Sequence, residues 1–143
     1  MKEHIVLRVV AAFIIPFIMI AAFYVQLHGE MTPGGGFQAG VVMAASFILY
    51  ALVFGLDRLT KVVSATALRK LAAAGVLIYG ITGTFSFAAD AYYLDYSFLL
   101  PTATQGQVLG IILIEAGVGL TVFSVMLLLF HSFADYADQM KGK

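Results

Sequence analysis

Long apolar runs separated by short polar knots organise this chain. Residues 5–27 are interrupted only by Arg8, residues 37–56 carry no charge, and residues 71–89 carry none either. Residues 106–130 hold a single charge, Glu115. Each run approaches or exceeds the roughly 20 residues with which a helix crosses a hydrocarbon core about 30 Å thick. In lipid only helices and closed barrels satisfy every backbone polar group, and these runs are too long and continuous for barrel strands. The pattern predicts an all-α membrane protein with four transmembrane helices, over about 5–27, 37–56, 71–89 and 106–130, in a single domain spanning 1–143. The segment 57–70 reads as a connection with some helical character, and SFADYADQMKGK at the end as a short solvated tail.

Composition agrees, since 62% of the 143 residues are hydrophobic and 11% charged, far from a soluble domain. The first run has some marks of a secretory signal, with Lys2 before it and Ala21 and Ala22 near its end. Its apolar length exceeds the roughly 7–15 residues of a signal core and no small-x-small cleavage site follows, so it is expected to stay in the mature protein.

Charge then sets an expected orientation. Lys2 and Arg8 lie at the start, Arg58, Lys61, Arg69 and Lys70 between the second and third runs, and Lys141 and Lys143 at the end, so all eight basic residues share one face. Short loops rich in Lys and Arg stay in the cytoplasm, which predicts both termini cytoplasmic. The opposite loops hold His28, Glu30, Asp90 and Asp95 and no basic residue.

Familiar enzymatic chemistry finds little support. Without cysteine there is no disulfide, thiolate metal site or thiol nucleophile. The three histidines, at 4, 28 and 131, have no metal-ligand spacing, and a formal net charge of +0 leaves no nucleic-acid footprint. No catalytic residue, metal site or cofactor is expected.

Small residues mark where membrane helices approach closely. Gly106, Gly110, Gly117, Thr121 and Ser124 fall on one face of the fourth helix, and Gly75, Tyr79, Thr82, Gly83, Ser86 and Asp90 form a comparable stripe on the third. These stripes are expected to pack the third helix on the fourth. At 100° per residue Glu115 lies about half a turn from the glycine stripe and faces something else. A carboxyl facing lipid is unfavourable, so it must meet protein, water or a partner charge. Such residues mark proton or ion pathways by default, the plainer alternative being a hydrogen-bonded packing carboxyl.

The polar knot HGEMTPGGGFQAG, residues 28–40, joins the first two runs. Pro33 fixes its φ, while Gly34, Gly35 and Gly36 permit positive φ and close backbone approach, which suits a sharp turn into the second helix. A helix start offers unpaired N–H groups and the positive end of a dipole, so an anion site is open there, although the lysine and spacing of a phosphate loop are missing. Phe37 is expected to anchor the turn.

TPGGGFQAG before a long apolar helix, together with IEAGVGLTV at 114–122, resembles the B subunit of Mrp-type cation/proton antiporters, the MnhB-like family. The likeness covers essentially the whole chain. It implies a small subunit of a multisubunit assembly in the bacterial inner membrane that exchanges Na⁺, sometimes K⁺ or Li⁺, for H⁺. It implies the A, C and D antiporter subunits and smaller subunits as partners. Pro33, Gly34, Gly35, Gly36 and Phe37 match the family turn, and Glu115 matches its acid in the fourth helix. Where the wider pattern reads Gly-His-Asn-x-Pro, this chain has Gly29, Glu30, Met31, Thr32 and Pro33, so a carboxylate replaces the histidine and His28 stands two positions earlier. The expected ion or proton pathway residues are therefore Glu115, Glu30, His28, Thr82 and Asp90. Related modules of ion-pumping hydrogenases or respiratory complexes, a purely packing subunit, and a stand-alone four-helix exporter are the alternatives.

Overall fold

The structure, a computed structural model, describes residues 2–29, 34–89 and 92–141. Glu30, Pro33 and Asp90, expected to matter from the sequence, lie outside the described residues, as do Met31 and Thr32. Five α-helices follow in order: α1 (Lys2–Leu27), α2 (Gly36–Phe54), α3 (Leu56–Val62), α4 (Ala65–Thr84), continued by a 3-10 turn over Phe85–Ala89, and α5 (Ala103–Lys141). Four of them, α1, α2, α4 and α5, are long and apolar enough to cross a membrane. They are the four that the apolar runs predict.

The boundaries differ where charge marked an end that the backbone ignores. α4 starts at Ala65, because Ser64 accepts a hydrogen bond from the Ala67 N–H at 3.2 Å and caps the first turn. Arg69 and Lys70 thus ride exposed on the helix itself. α5 continues through the segment expected to be a solvated tail, up to Lys141. That segment contains good helix formers and no Gly or Pro before Gly142, so nothing stops the helix once it leaves the apolar zone. At about 1.5 Å per residue, the 39 residues of α5 span about 58 Å, well beyond a hydrocarbon core of about 30 Å.

Helix α2 lies between α1 and α5, and α5 lies between α2 and α4. Directions follow from residue pairs. Arg8 sits over the Phe54 ring and Gly34 meets Val25, so α1 and α2 are antiparallel. Gly36 meets Glu115, Gly40 meets Gly119 and Phe47 packs edge-on against Phe123, so α2 and α5 are parallel. Gly75 meets Gly117 and Thr121, whose hydroxyl donates to the Ala72 and Gly117 carbonyls, and α4 runs antiparallel to α5. A core of Ala44, Leu68 and Leu127 joins α2, α4 and α5 near the end that carries α3. Gly55, at φ +104°, turns the chain from α2 into α3, a backbone conformation that glycine alone adopts easily.

Candidate functional site

Glu115 occupies the side of α5 opposite Gly117 and is half-buried. Its carboxylate rises under the turn between α1 and α2. A Cβ built on Gly29 would stand 2.8 Å from Oε2 and 3.0 Å from Oε1, and one built on Gly35 would stand 3.0 Å from Oε1. A Cβ on Gly36 would overlap the Glu115 carbonyl oxygen. Three glycines therefore clasp one residue, two around its carboxylate and one against its backbone. Any larger residue at these positions would push the acid away. Gly35 adds a second requirement, because its φ of +127° lies in the region that favours glycine.

The location has chemical consequences. Gly36 is the first residue of α2, whose opening N–H groups have no partners within the helix and whose dipole is positive at that end. The carboxylate of Glu115 sits beside Gly35, just before this helix start. A helix start able to hold an anion thus has one supplied by the chain itself.

The other expected pathway residues are arranged differently. His28 is exposed, its ring stacked on Tyr24 with centroids 4.2 Å apart and its Nδ1 3.1 Å from the Tyr24 carbonyl oxygen. It flanks the turn that covers Glu115. Thr82 is half-buried on α4, which packs on the opposite side of α5, and so belongs to a separate region. Phe37, expected to anchor the turn, is 63% exposed, because its position at the start of α2 points away from α5 while Gly36, Ala39 and Gly40 are buried.

Of the three glycines expected to pack α5 on α4, Gly117 meets Gly75 and Tyr79. Gly106 and Gly110 instead receive Tyr96 from the α4–α5 loop, with a Cβ on either one overlapping the Tyr96 backbone or ring. There the α4–α5 loop folds back against α5. Tyr96 is only 4% exposed, and its burial holds the phenol above its ordinary 10.0. Next to it, Asp95 Oδ1 accepts from the Ser97 N–H at 3.0 Å, the Ser97 hydroxyl at 2.7 Å and the Gln107 amide at 3.0 Å. The Ser97 N–H and then its hydroxyl hold the Asp95 carboxyl below its ordinary 3.8. Residue pattern gave no sign of this loop clasp, although the Asp-Tyr-Ser sequence ahead of a helix start is the kind of local bonding signal that marks such turns.

Fold and site together define a polytopic membrane protein in which a carboxyl from one spanning helix is held beneath a glycine turn at the start of another. Residues 6–128 match the family described as a domain related to the MnhB subunit of Na⁺/H⁺ antiporter, and the chain belongs to this family. It is similar to the B subunit of the Na(+)/H(+) antiporter of Bacillus subtilis (strain 168), with 26% identity over 121 residues, covering 82% of this chain and 84% of that protein. It is also similar to a protein of Staphylococcus aureus (strain Newman) with the provisional name antiporter subunit mnhB2, with 30% identity over 138 residues, covering 94% of this chain and 97% of that one.

Proposed function

We propose that this chain is a small membrane subunit of a multisubunit Na⁺/H⁺ antiporter of the bacterial cell membrane, and that Glu115 borders its ion or proton path. Family membership supports the first part. One observation supports the second: the Glu115 carboxylate is enclosed by Gly29 and Gly35 at the start of α2. A carboxyl used only to fill space would not require two glycines against its oxygens. A group that exchanges a proton or a cation needs room for its charged form beside fixed dipoles, and backbone N–H groups at a helix start provide them. His28, exposed beside the same turn, would flank the approach.

Everted vesicles containing the assembled complex provide the test. Glu115→Gln keeps the shape and can hydrogen-bond, so the complex should remain at normal abundance while cation-dependent proton movement falls at least about fivefold or its pH optimum shifts. Glu115→Asp should retain part of the activity. A fully assembled Gln variant with an unchanged pH profile would remove Glu115 from the path.

The same reading places both termini in the cytoplasm, supported by the eight basic residues on that side. Ser64, Thr102 and Ser132 are all exposed, and the chain has no native cysteine. Single cysteines at Ser64 and Ser132 should be shielded from an impermeant thiol reagent in intact cells, whereas one at Thr102 should react. Labelling at Ser64 from outside would invert the orientation.

A further inference from the structure

On the other side of Gly36 and Gly119 from the glycine turn, a groove of about 400 Å³ runs between α1 and α5 with α2 as its floor. Its lining is apolar except for Gln26. Gln26 is the penultimate residue of α1, and its Nε2 is buried with no hydrogen-bond partner among the described residues. Side chains on a helix tilt toward its N-terminus. Glu115 on α5 therefore tilts up to the turn, while Gln26 on the antiparallel α1 tilts down along the groove. The two polar groups diverge, and Gln26 is not part of the Glu115 clasp.

A buried amide donor without an acceptor is costly. No acceptor comes from the described residues. The chemistry of the groove indicates what can bring one. From Gln26 to Met19 on α1, and from Ala116 to Phe123 on α5, the lining extends about 10 Å at about 1.5 Å per residue. The lining is apolar along its length with a single amide donor at one end, the order in which an acyl chain and its ester follow one another. The edge-to-face pair Phe47–Phe123 lies at the inner end, and Gln26 lies at the level of the helix end, where a lipid's ester carbonyls sit.

We propose that this groove binds one phospholipid of the leaflet on the glycine-turn side, with an acyl chain along Ala22, Met43 and Ala116 and an ester carbonyl accepting from Gln26 Nε2. Rotation about the broad final torsion of Gln26 turns the amide N–H toward that carbonyl. The proposal is independent of any role for Glu115.

The test uses the assembled complex reconstituted in phosphatidylglycerol vesicles that carry a trace of the same lipid with a photoactivatable diazirine in its acyl chain. Ultraviolet labelling followed by peptide mapping should mark the groove-facing stretch of α1 around Ala22 and Phe23. Ala116→Phe, which fills the groove from an exposed position on α5, should reduce that label at least about fivefold. Gln26→Leu, which removes only the donor, should reduce it at least about threefold and provides the reading if Ala116→Phe lowers abundance. Label on the exposed pair Phe13 and Phe17 should not change in either variant. Groove labelling that survives both substitutions would overturn the proposal, as would a cross-link from this stretch to another subunit, which would show that protein occupies the groove.

Discussion

Two clasps stand at the same end of the molecule, one under the α1–α2 turn and one in the α4–α5 loop, and each closes around a carboxylate. In the loop, Asp95 is surrounded by donors of its own neighbourhood, Ser97 and Gln107, and the adjacent Tyr96 fills the space left by Gly106 and Gly110. In the turn, Glu115 is surrounded by positions from which side chains have been removed, Gly29, Gly35 and Gly36. The loop uses its glycines to seat an aromatic ring. The turn uses them to bring backbone to an acid. A clasp made of side chains fixes a structure, whereas one made of bare backbone at a helix start sets a charged group close to fixed dipoles. This contrast is why the turn, and not the loop, carries the functional proposal.

The largest effect should come from closing the turn clasp at its tightest point. Gly36→Ala places a Cβ onto the Glu115 carbonyl, where backbone meets backbone and no side chain can move aside. A cost of about 3 kcal/mol or more is expected, with the complex falling in abundance on native gels. Gly35→Val combines a contact 3.0 Å from Oε1 with a strained φ and should be nearly as severe. Phe37→Ala should be mild in this chain, since Phe37 points outward. A severe Phe37 variant beside a normal Gly36 variant would transfer the turn's importance from the clasp to an outside partner.

Next in size is the loop's aromatic seat. Tyr96→Ala empties the site against Gly106 and Gly110 and should cost about 3 kcal/mol, as for other buried aromatic truncations. Antiport per assembled complex should persist, because the Tyr96 seat is separate from the Glu115 clasp. Loss of turnover at normal abundance would erase the functional distinction between the two clasps.

Number and kind of the helices were legible from the sequence because apolar length is set by the bilayer, a constraint visible in every run. Their ends were not. Arg69, Lys70 and Asp135 look like loop residues, yet a helix that has left the hydrocarbon tolerates charge as readily as a loop does. Helical phase correctly set Glu115 and Gly117 on opposite sides of α5, and with Gly117 on α4 the acid had to face elsewhere. What it faces was hidden, because the turn and Glu115 lie far apart in the chain and no periodicity links them. Gly29 and Gly35, on either side of that turn, stand against the acid. The seat of Tyr96 was equally hidden, since a glycine stripe fits an aromatic ring as well as another helix.

The smallest effect should be the titration of the loop clasp itself, and it is the cleanest test of the contrast. Asp95 is held below its ordinary 3.8 by the Ser97 N–H and hydroxyl and the Gln107 amide, so the unfolded loop takes up a proton at a higher pH than the folded loop does. The stabilisation is thus fully present above about pH 4 and fades as pH falls through the depressed value. Amide hydrogen exchange at Ser97, after correction for the intrinsic pH dependence of exchange, should show protection that is level from pH 7 to pH 5 and declines below pH 4. Asp95→Asn cannot titrate, so its protection should be lower than wild type at neutral pH and flat across the window. Antiport should be unchanged at every pH where the complex survives. A pH-dependent change in transport caused by Asp95→Asn would mean that the loop carboxylate serves the ion path as well, and the division between a clasp that builds and a clasp that works would no longer hold.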